Sequence, residues 1–387
     1  MTSRHLERPV ATDSRPSITT GVYNFDGTRL ALFEVGAPDQ PPALTAEDAT
    51  AVVRLVHEAR DVGLPILGIA HGSLVDLSVA TPALDGWGRV ARELAVSSGI
   101  VPTIMLLNGP MVGGMALSLG LVDAVVATRA AVGYLSSPVA VRKTTDRVVS
   151  AAELGGTVPH SGRSGIFDLV ADDYDEAVDL VLHLLAHLPD NNSEPAPRGH
   201  SHDPGDRLCP TIDSIVPSDP KQGYDMRDVI AEIVDDGDFL EIGARFGPAM
   251  TVGFGFLARQ AVGLVANQPN HLAGAIDIEC SQKAARFIQF CDAFGIPLLT
   301  LVDTPGFLPG RDLEWGGMIR YGGQLAFAYA EATVPRMCVI VRKAYGGAFI
   351  VMDCKTMGND VCLAWPRSEI AVMGASGAVQ ILHGRAL

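Results

Sequence analysis

Two stretches of the chain repeat one another at a nearly constant offset, and this constrains the fold more than any other feature of the sequence. Gly63-Leu64-Pro65-Ile66-Leu67 matches Gly295-Ile296-Pro297-Leu298-Leu299, an offset of 232. Further on, Val101-Pro102, an apolar strand and Gly113-Gly114 match Val334-Pro335, an apolar strand and Gly346-Gly347, an offset of 233. Each copy begins with helical apolar periodicity, Ala46 to Arg60 in one and Ser281 to Phe294 in the other. A Gly-x-Pro-apolar strand follows, then a turn, a second helix, a Val-Pro-apolar strand and a Gly-Gly turn that opens another helix. A repeat of this length predicts two copies of one architecture. Strand, helix and strand in this order predict right-handed crossovers and mostly parallel sheets, an α/β fold.

The 387 residues suit two domains. The expected division is a disordered tail over 1–20, a first domain over 21–189, a linker over 190–220 and a second domain over 221–387. The linker rests on composition: Asn191-Asn192, Pro195-Ala196-Pro197 and His202-Asp203-Pro204-Gly205-Asp206 interrupt any apolar period. His200 and His202 read as solvated linker histidines rather than metal ligands. Beyond the linker, Tyr224 to Ile242 reads as a helix running into an extended Phe239-Leu240-Glu241-Ile242, and Val252 to Val265 as a hairpin. The first half offers a shorter version of that hairpin, Val22 to Val35.

Charge narrows the function. With 29 basic and 44 acidic residues the net charge is −15, which repels phosphate backbones and argues against nucleic-acid binding. An anionic ligand must then be held by local basic groups or backbone N–H donors. The cysteines (Cys209, Cys280, Cys291, Cys338, Cys354 and Cys362) form no C-x-x-C, so they read as reduced thiols of a cytoplasmic protein, with no metal. Leu94 to Val122 has no charged residue over 29 positions, long enough to span a bilayer. It contains Pro102, Asn108, Pro110 and five glycines, and its repeat counterpart is charged, so it reads as a buried strand–turn–helix and not as a membrane span. Met1 to Pro16 lacks the apolar core of a secretory signal.

No G-x-S-x-G, HExxH or P-loop is present. Asp172-Asp173 and Asp235-Asp236 read as solvated helix ends. What remains is glycine at repeated strand-to-helix turns, Asn108-Gly109-Pro110-Met111-Val112-Gly113-Gly114 and Arg342-Lys343-Ala344-Tyr345-Gly346-Gly347-Ala348. Glycine lets backbone approach a ligand, and a helix start aims N–H donors at it. Such donors suit a carbonyl oxygen that gains negative charge during reaction. The same glycines also allow close strand–helix packing, and the residues alone leave both readings open. Asp303-Thr304-Pro305-Gly306-Phe307-Leu308-Pro309-Gly310 makes a stiff loop at a strand's C-terminal end, where α/β proteins place ligands. Asn267-Gln268-Pro269 ends the hairpin with side-chain amides.

At these residues the chain resembles the carboxyltransferase (β) subunits of biotin-dependent acyl-CoA carboxylases, the acetyl-/propionyl-CoA carboxylase type. The match is strong from about Tyr224 to Val379, through Val265-Ala-Asn-Gln-Pro269, Lys283-Ala-Ala-Arg-Phe287, Phe290-Cys-Asp-Ala-Phe294, the Asp303–Gly310 loop, the Arg342–Ala348 turn, Ala364-Trp-Pro366 and Glu369-Ile-Ala-Val-Met-Gly-Ala375. It is weaker over the first half, through Gly109-Pro110, Gly113-Gly114, Glu153-Leu-Gly-Gly156, His160 and His202-Asp203-Pro204. The resemblance implies two crotonase-like ββα-spiral domains in a homo- or hetero-oligomer, the family being hexameric. It implies an acyl-CoA site in the first domain and a carboxybiotin site in the second. The biotin would arrive on a separate carrier protein, from a biotin carboxylase/biotin carboxyl carrier subunit.

The chemistry so implied moves a carboxyl group from carboxybiotin to the α-carbon of acetyl- or propionyl-CoA, giving malonyl- or methylmalonyl-CoA. The protein would supply positioning and two oxyanion holes instead of acid–base side chains. Carried over by position, the backbone N–H groups of Gly347 and Ala348 would hold the biotin oxygen, with Pro305, Gly306, Phe307, Tyr345 and Gly346 around the biotin. Gly72, Ser73, Leu74, Val75, Gly113 and Gly114 would serve the thioester. Ile350 stands where family members set acyl-chain selectivity, often with Asp in propionyl-type enzymes, so its apolar side chain resembles acetyl-type or broader-range enzymes.

The sequence departs from that pattern at one loop and at both ends. His71-Gly72-Ser73-Leu74-Val75-Asp76 stands where the family has Asp-Ser-Gly-Gly-Ala-Arg, so an arginine becomes Asp76. The family's N-terminal helical and strand region before the Val22 stretch and its last helices and edge strand are expected to have no counterpart, as in a shortened paralogue or a chain completed by a partner. Two other uses of the scaffold fit these departures: decarboxylation or altered acyl transfer on malonyl-type thioesters, and a non-catalytic place in a hetero-oligomeric carboxylase.

Overall fold

The sequence repeat becomes two sheets of one plan. The computed structural model describes residues 11–14, 17–25, 27–36, 45–72 and 80–384. The chain divides between Pro195 and Ala196 into two units.

The first unit has strands β1 (Ala11–Ser14), β2 (Ile18–Phe25), β3 (Thr28–Val35), β4 (Ile66–Ala70), β5 (Thr103–Leu107), β6 (Pro110–Val112), β7 (Ala124–Thr128), β8 (Val132–Tyr134) and β9 (Leu169–Ala171). The main sheet runs β1-β2-β3-β4-β5-β7-β9, and β6 pairs with β8 apart from it. β1, β2 and β3 are antiparallel, and the others are parallel. Helix Ala46–Val62 crosses from β3 to β4, and helix Ala80–Ser97 from β4 to β5. Phe33, Val52, Val56, Leu94 and Met105 meet in the core beneath them. The hairpin is longer than Val22 to Val35, and residues 11–14 and 18–20, expected in a tail, are strand. Ile18 and Thr20 are buried; their β-branched side chains suit a pleated surface, a signal diluted by neighbouring serine, proline and glycine.

The second unit has β10 (Phe239–Ile242), β11 (Met250–Leu257), β12 (Gln260–Asn267), β13 (Leu298–Thr304), β14 (Arg336–Tyr345), β15 (Val361–Ala364) and β16 (Glu369–Ala371). Its order is β10-β11-β12-β13-β14-β15, with β16 also pairing β14. Antiparallel pairing again gives way to parallel after the hairpin. Helix Ile278–Ala293 crosses from β12 to β13 and helix Met318–Glu331 leads to β14. Phe254 packs against Phe287 and Phe290, with ring centroids 4.9 and 5.7 Å apart. In both units two hairpin strands feed a helix, the ββα order of a crotonase-like fold.

The repeat reaches single hydrogen bonds. Gly63 and Gly295 end corresponding helices with φ of 72° and 66°, the left-handed region that glycine enters without a Cβ penalty. The Ala31 N–H donates to Pro65 O at 2.9 Å, and the Gly263 N–H to Pro297 O at 2.9 Å. Asp123 accepts from the Thr103 N–H that begins β5, and Asp360 from the Arg336 N–H that begins β14, each at 2.8 Å. The Gly-x-Pro and Val-Pro signatures are thus strand starts whose proline carbonyls fix the register against the preceding strand.

Residues 190–220, marked by composition as a linker, are held to one unit or the other. Asn191 Nδ2 donates to Gly63 O at 3.2 Å in the first unit. In the second, Arg207 donates to the carbonyls of Glu232, Ile233 and Val234, and Ile212 and Val216 join a core with Met226 and Leu264. Asp235 is buried rather than solvated. It accepts from the Ala258 and Arg259 N–H groups at 3.0 and 2.6 Å, closing the β11–β12 turn, whose central residues have φ of 48° and 67°.

Side chains cap most of the longer helices. Thr45 and Asp48 form a reciprocal capping box at Ala46–Val62. Thr45→Ala removes that acceptor and is expected to cost about 1 kcal/mol, measured as a lower urea midpoint for the first unit. An unchanged midpoint would mean the box contributes nothing.

Candidate functional site

In the second unit the expected residues gather at the C-terminal ends of β13 and β14. These strands are parallel neighbours, with Thr304 opposite Ala344, so the loop after one lies beside the turn after the other. Pro305, Gly306 and Phe307 follow β13; Tyr345, Gly346, Gly347 and Ala348 close β14 and open a short helix, Gly346–Val351. Gly306 O accepts from the Ile276 N–H at 3.1 Å. The Phe307 ring lies against Gly347 and Gly322, where an added Cβ would meet it at 3.4 and 3.1 Å. Gly346 has φ 57°. Gly347 is exposed, Ala348 is buried, and Ile350, one turn on, is 50% exposed.

No side chain caps this turn, where Tyr345 is the N-cap. The first N–H groups of a helix have no intrahelical acceptor; that of Gly347 lies at an exposed residue, while Ala348 is fully buried behind it. The repeat-related turn in the first unit matches it: Gly113 has φ 70°, Gly113–Gly120 is a 3₁₀ helix, and its N-cap Val112 makes no side-chain cap. Helices starting after Thr45, Ser150, Asp173, Asp225 and Asp277 are capped by those side chains. The two glycine turns are open, as are the helix starts after Gly156, Thr211, Gly310, Gly317 and Gly374; what sets the pair apart is its repeat-related position.

A buried ion cluster stands behind the second turn. Asp303 ends β13, with its side chain fully buried; it pairs with Arg342 Nε at 2.9 Å and Lys343 Nζ at 3.5 Å. The Lys343 N–H donates to the same carboxylate at 3.2 Å, and the Asp303 N–H donates to Asn267 Oδ1 at 3.1 Å. Arg342 Nη1 donates to the carbonyls of Pro217, Asp219 and Gln222 and lies 4.9 Å from the Tyr224 ring centre. Burial pulls the Lys343 ammonium below its usual range, against the pull of Asp303. Burial, then Asp303, pushes the Tyr224 hydroxyl well up. The Tyr345 hydroxyl donates to Glu369 and is pushed up to about 12, by burial and then by Glu369. These cations serve Asp303 and the 217–222 carbonyls, which leaves the backbone as the donor facing outward.

Asp225 caps helix Met226–Ile233 and ties it to the Asn267-Gln268 pair. Burial opposes its ionisation, but the Arg227 N–H, the Gln268 amide and the Arg227 charge hold its carboxyl below the usual range. A lowered acid pKa stabilises the fold above the ordinary value near 3.9 and loses that stabilisation as pH falls through the folded value. Asp225→Asn keeps a capping oxygen, so it is expected to cost on the order of 1 kcal/mol at neutral pH and to flatten the loss of stability below about pH 4. An equally steep acid limb would contradict this.

In the first unit Gly72 follows β4 and Gly113-Gly114 follow β6, the short strand after β5; Ser73, Leu74 and Val75 lie outside the described residues. Sequence reasoning missed the network that joins these strand ends. His71 is buried; its Nε2 lies 2.8 Å from Glu34 Oε1 and its Nδ1 3.1 Å from Asn108 Nδ2. An Asn108 amide that donates to Nδ1 sets the tautomer with its proton on Nε2, facing Glu34. The ends of β3, β4 and β5 are thereby clamped together. Gly109 is required here, since a Cβ would stand 2.0 Å from His71 O. His160 Nε2 bonds Gly133 O at 2.6 Å, where Gly155 passes too close for a side chain. Among the described residues, no group of three or more His, Cys, Asp or Glu could hold a metal ion, and no helix is long and apolar enough to cross a membrane.

Residues 9–387 match the family model described as carboxyl transferase domain. The chain is 41% identical over 379 residues to the propionyl-CoA carboxylase beta chain of Saccharopolyspora erythraea, covering 96% of this chain and 69% of that one. It is 40% identical over 378 residues to the biotin-dependent acetyl-/propionyl-coenzyme A carboxylase beta5 subunit of Mycobacterium tuberculosis, with the same coverage of 96% and 69%. Among solved structures, the hexameric transcarboxylase 12S with hydrolysed methylmalonyl-coenzyme A superposes with a TM-score of 0.92 at 38% identity, over 96% of this chain and 72% of that one. By sequence and by fold alike, the chain belongs to the carboxyl transferase domain family.

Proposed function

We propose that this chain is the carboxyltransferase component of a biotin-dependent acyl-CoA carboxylase, moving a carboxyl group from carboxybiotin to the α-carbon of a short acyl-CoA. The observation that carries this is the pair of uncapped, repeat-related glycine turns. Each offers backbone donors fixed before the reaction, which is what a developing oxyanion requires, and one lost donor of this kind costs about 10²–10³ in rate. The turn at Gly347-Ala348 suits the ureido oxygen of biotin: Gly347 leaves an open backbone beside the Phe307 ring, a flat wall that a Cβ would crowd. When bound, carboxybiotin supplies the carboxyl group.

The chain's own part is placement. Gly347 and Ala348 N–H groups hold one oxygen, and Pro305, Gly306, Phe307, Tyr345 and Gly346 shape the biotin side. Gly113 and Gly114, with Gly72, Ser73, Leu74 and Val75, hold the thioester on the first unit. Asp303 with Arg342 and Lys343 fixes both loops of the second unit to the sheet. Biotin would come on a separate carrier protein from a biotin carboxylase partner, in an oligomer working in the cytoplasm.

Supplying carrier, biotin carboxylase, ATP and labelled bicarbonate with acetyl- or propionyl-CoA is expected to give labelled malonyl- or methylmalonyl-CoA. Charged carrier that passes no label to any acyl-CoA would overturn the proposal. Ile350→Asp tests the selectivity assignment: the propionyl/acetyl ratio of kcat/KM is expected to rise on the order of 10-fold, within what one pocket contact can shift. An unmoved ratio would remove Ile350 from the acyl pocket.

A further inference from the structure

Three cysteines of the second unit lie near one another and have no part in carboxyl transfer. Cys338 and Cys362 are directly opposite on the parallel strands β14 and β15, so their side chains project from the same face of the sheet. Adjacent strands lie about 4.7–4.9 Å apart, inside the Cα separation of about 4.4–6.8 Å that a disulfide bridges. β15 is four residues long and ends the sheet order, so only its β14 side is paired within the described sheet. Cys338 is fully buried, with its Sγ 3.7 Å from Met352 O, while Cys362 is half-buried and within reach of solvent. Burial first, then the neighbouring Cys362, pushes the Cys338 thiol up. One sulfur is thus open to an oxidant and the other stands protected behind it. Cys354 is buried and occupied, its Sγ 3.0 Å from Thr356 Oγ1.

We infer that Cys338 and Cys362 form a reversible disulfide site, oxidised by hydrogen peroxide. The Cys362 thiolate attacks the peroxide: an S–O bond forms, the O–O bond breaks and hydroxide leaves, giving a sulfenic acid. The Cys338 sulfur then attacks the Cys362 sulfur. The S–S bond forms, the S–O bond breaks, and the leaving hydroxide takes the Cys338 thiol proton away as water. Two thiols are oxidised, one peroxide is reduced to two waters, and a dithiol reverses the change. Registered positions on parallel strands bridge only with strain, and strained disulfides are the readily reduced, regulatory kind. The bond would fasten the edge strand to β14, whose far end opens the Gly346–Ala348 turn.

The test treats the folded chain with a small excess of hydrogen peroxide, blocks remaining thiols with N-ethylmaleimide and maps peptides without reduction. The expected result is a Cys338–Cys362 crosslink as the main oxidised species, removed by dithiothreitol and absent from both Cys338→Ser and Cys362→Ser. In Cys338→Ser, Cys362 is then expected to proceed to sulfinic acid. Because Cys338→Ser places a hydroxyl in the core, Cys338→Ala serves as the folded control, checked by circular dichroism. The inference is overturned by a Cys338–Cys354 bond, by a Cys362–Cys362 bond between chains, by sulfinic acid at Cys362 in the unsubstituted protein, or by no oxidation of Cys362.

Discussion

Gly346→Val is expected to lower carboxyl transfer by about 10²–10³-fold, the loss of one oxyanion donor, while leaving the fold intact. Gly346 has φ 57°, a conformation in which a β-branched residue is a strong outlier, and its Cβ would stand 3.2 Å from the backbone oxygen of Val372. The turn relieves this by rotating, which carries the Gly347 N–H off the oxygen it is proposed to hold. The loss belongs mainly in kcat, because the donors matter most once the oxygen is charged. Gly295→Val is the control: its φ of 66° is as demanding, no atom lies within 4 Å of its added Cβ, and it lies at the opposite, N-terminal end of β13. Equal losses in the two variants would show that strain, not the donors, sets the rate.

Asp303→Asn is expected to cost about 3–5 kcal/mol, the penalty for breaking a buried ion pair from one side. The side chains of Arg342 and Lys343 are only 7% and 8% exposed, so neither cation can turn to water for compensation. The neutral amide keeps the shape and can still accept one hydrogen bond, but it leaves two buried positive charges together. Their remaining partners are the carbonyls of residues 217–222, so that segment should loosen with the cluster. Urea unfolding followed by a probe in the second unit reads the effect; with two units in the chain, one two-state fit to the whole is inappropriate. A loss under about 1 kcal/mol would mean that Asp303 is dispensable to the packing of the site.

Much of this was legible in the sequence because the repeat is written in residues with narrow backbone roles. Gly63 and Gly295 end helices in the left-handed region, and Gly113 and Gly346 open the two turns, also with positive φ. Pro65 and Pro297 can donate no hydrogen bond, and their carbonyls accept from the preceding strands β3 and β12. What stayed hidden was pairing across long separations. Nothing in the local pattern says that Glu34, His71 and Asn108 meet, or that carbonyls in a proline-rich segment are held by Arg342 and Lys343. The segment over 196–220 looked like a linker for the same reason: its contacts, the Arg207 guanidinium on the carbonyls of residues 232–234, Ile212 and Val216 in the core and carbonyls held by Arg342 and Lys343, are all made to distant residues. Asp235 looked solvated because its partners are two N–H groups of a hairpin turn more than twenty residues away.

The central claim is tested most directly on the purified chain alone, run in reverse with methylmalonyl-CoA or malonyl-CoA and free biotin. The prediction is loss of the carboxylated thioester only when biotin is present, with acyl-CoA formed in equal amount and Gly346→Val strongly impaired. Loss at the same rate without biotin would mark the chain as a decarboxylase, and no loss under either condition, from protein shown to bind the thioester, would contradict the carboxyltransferase account outright.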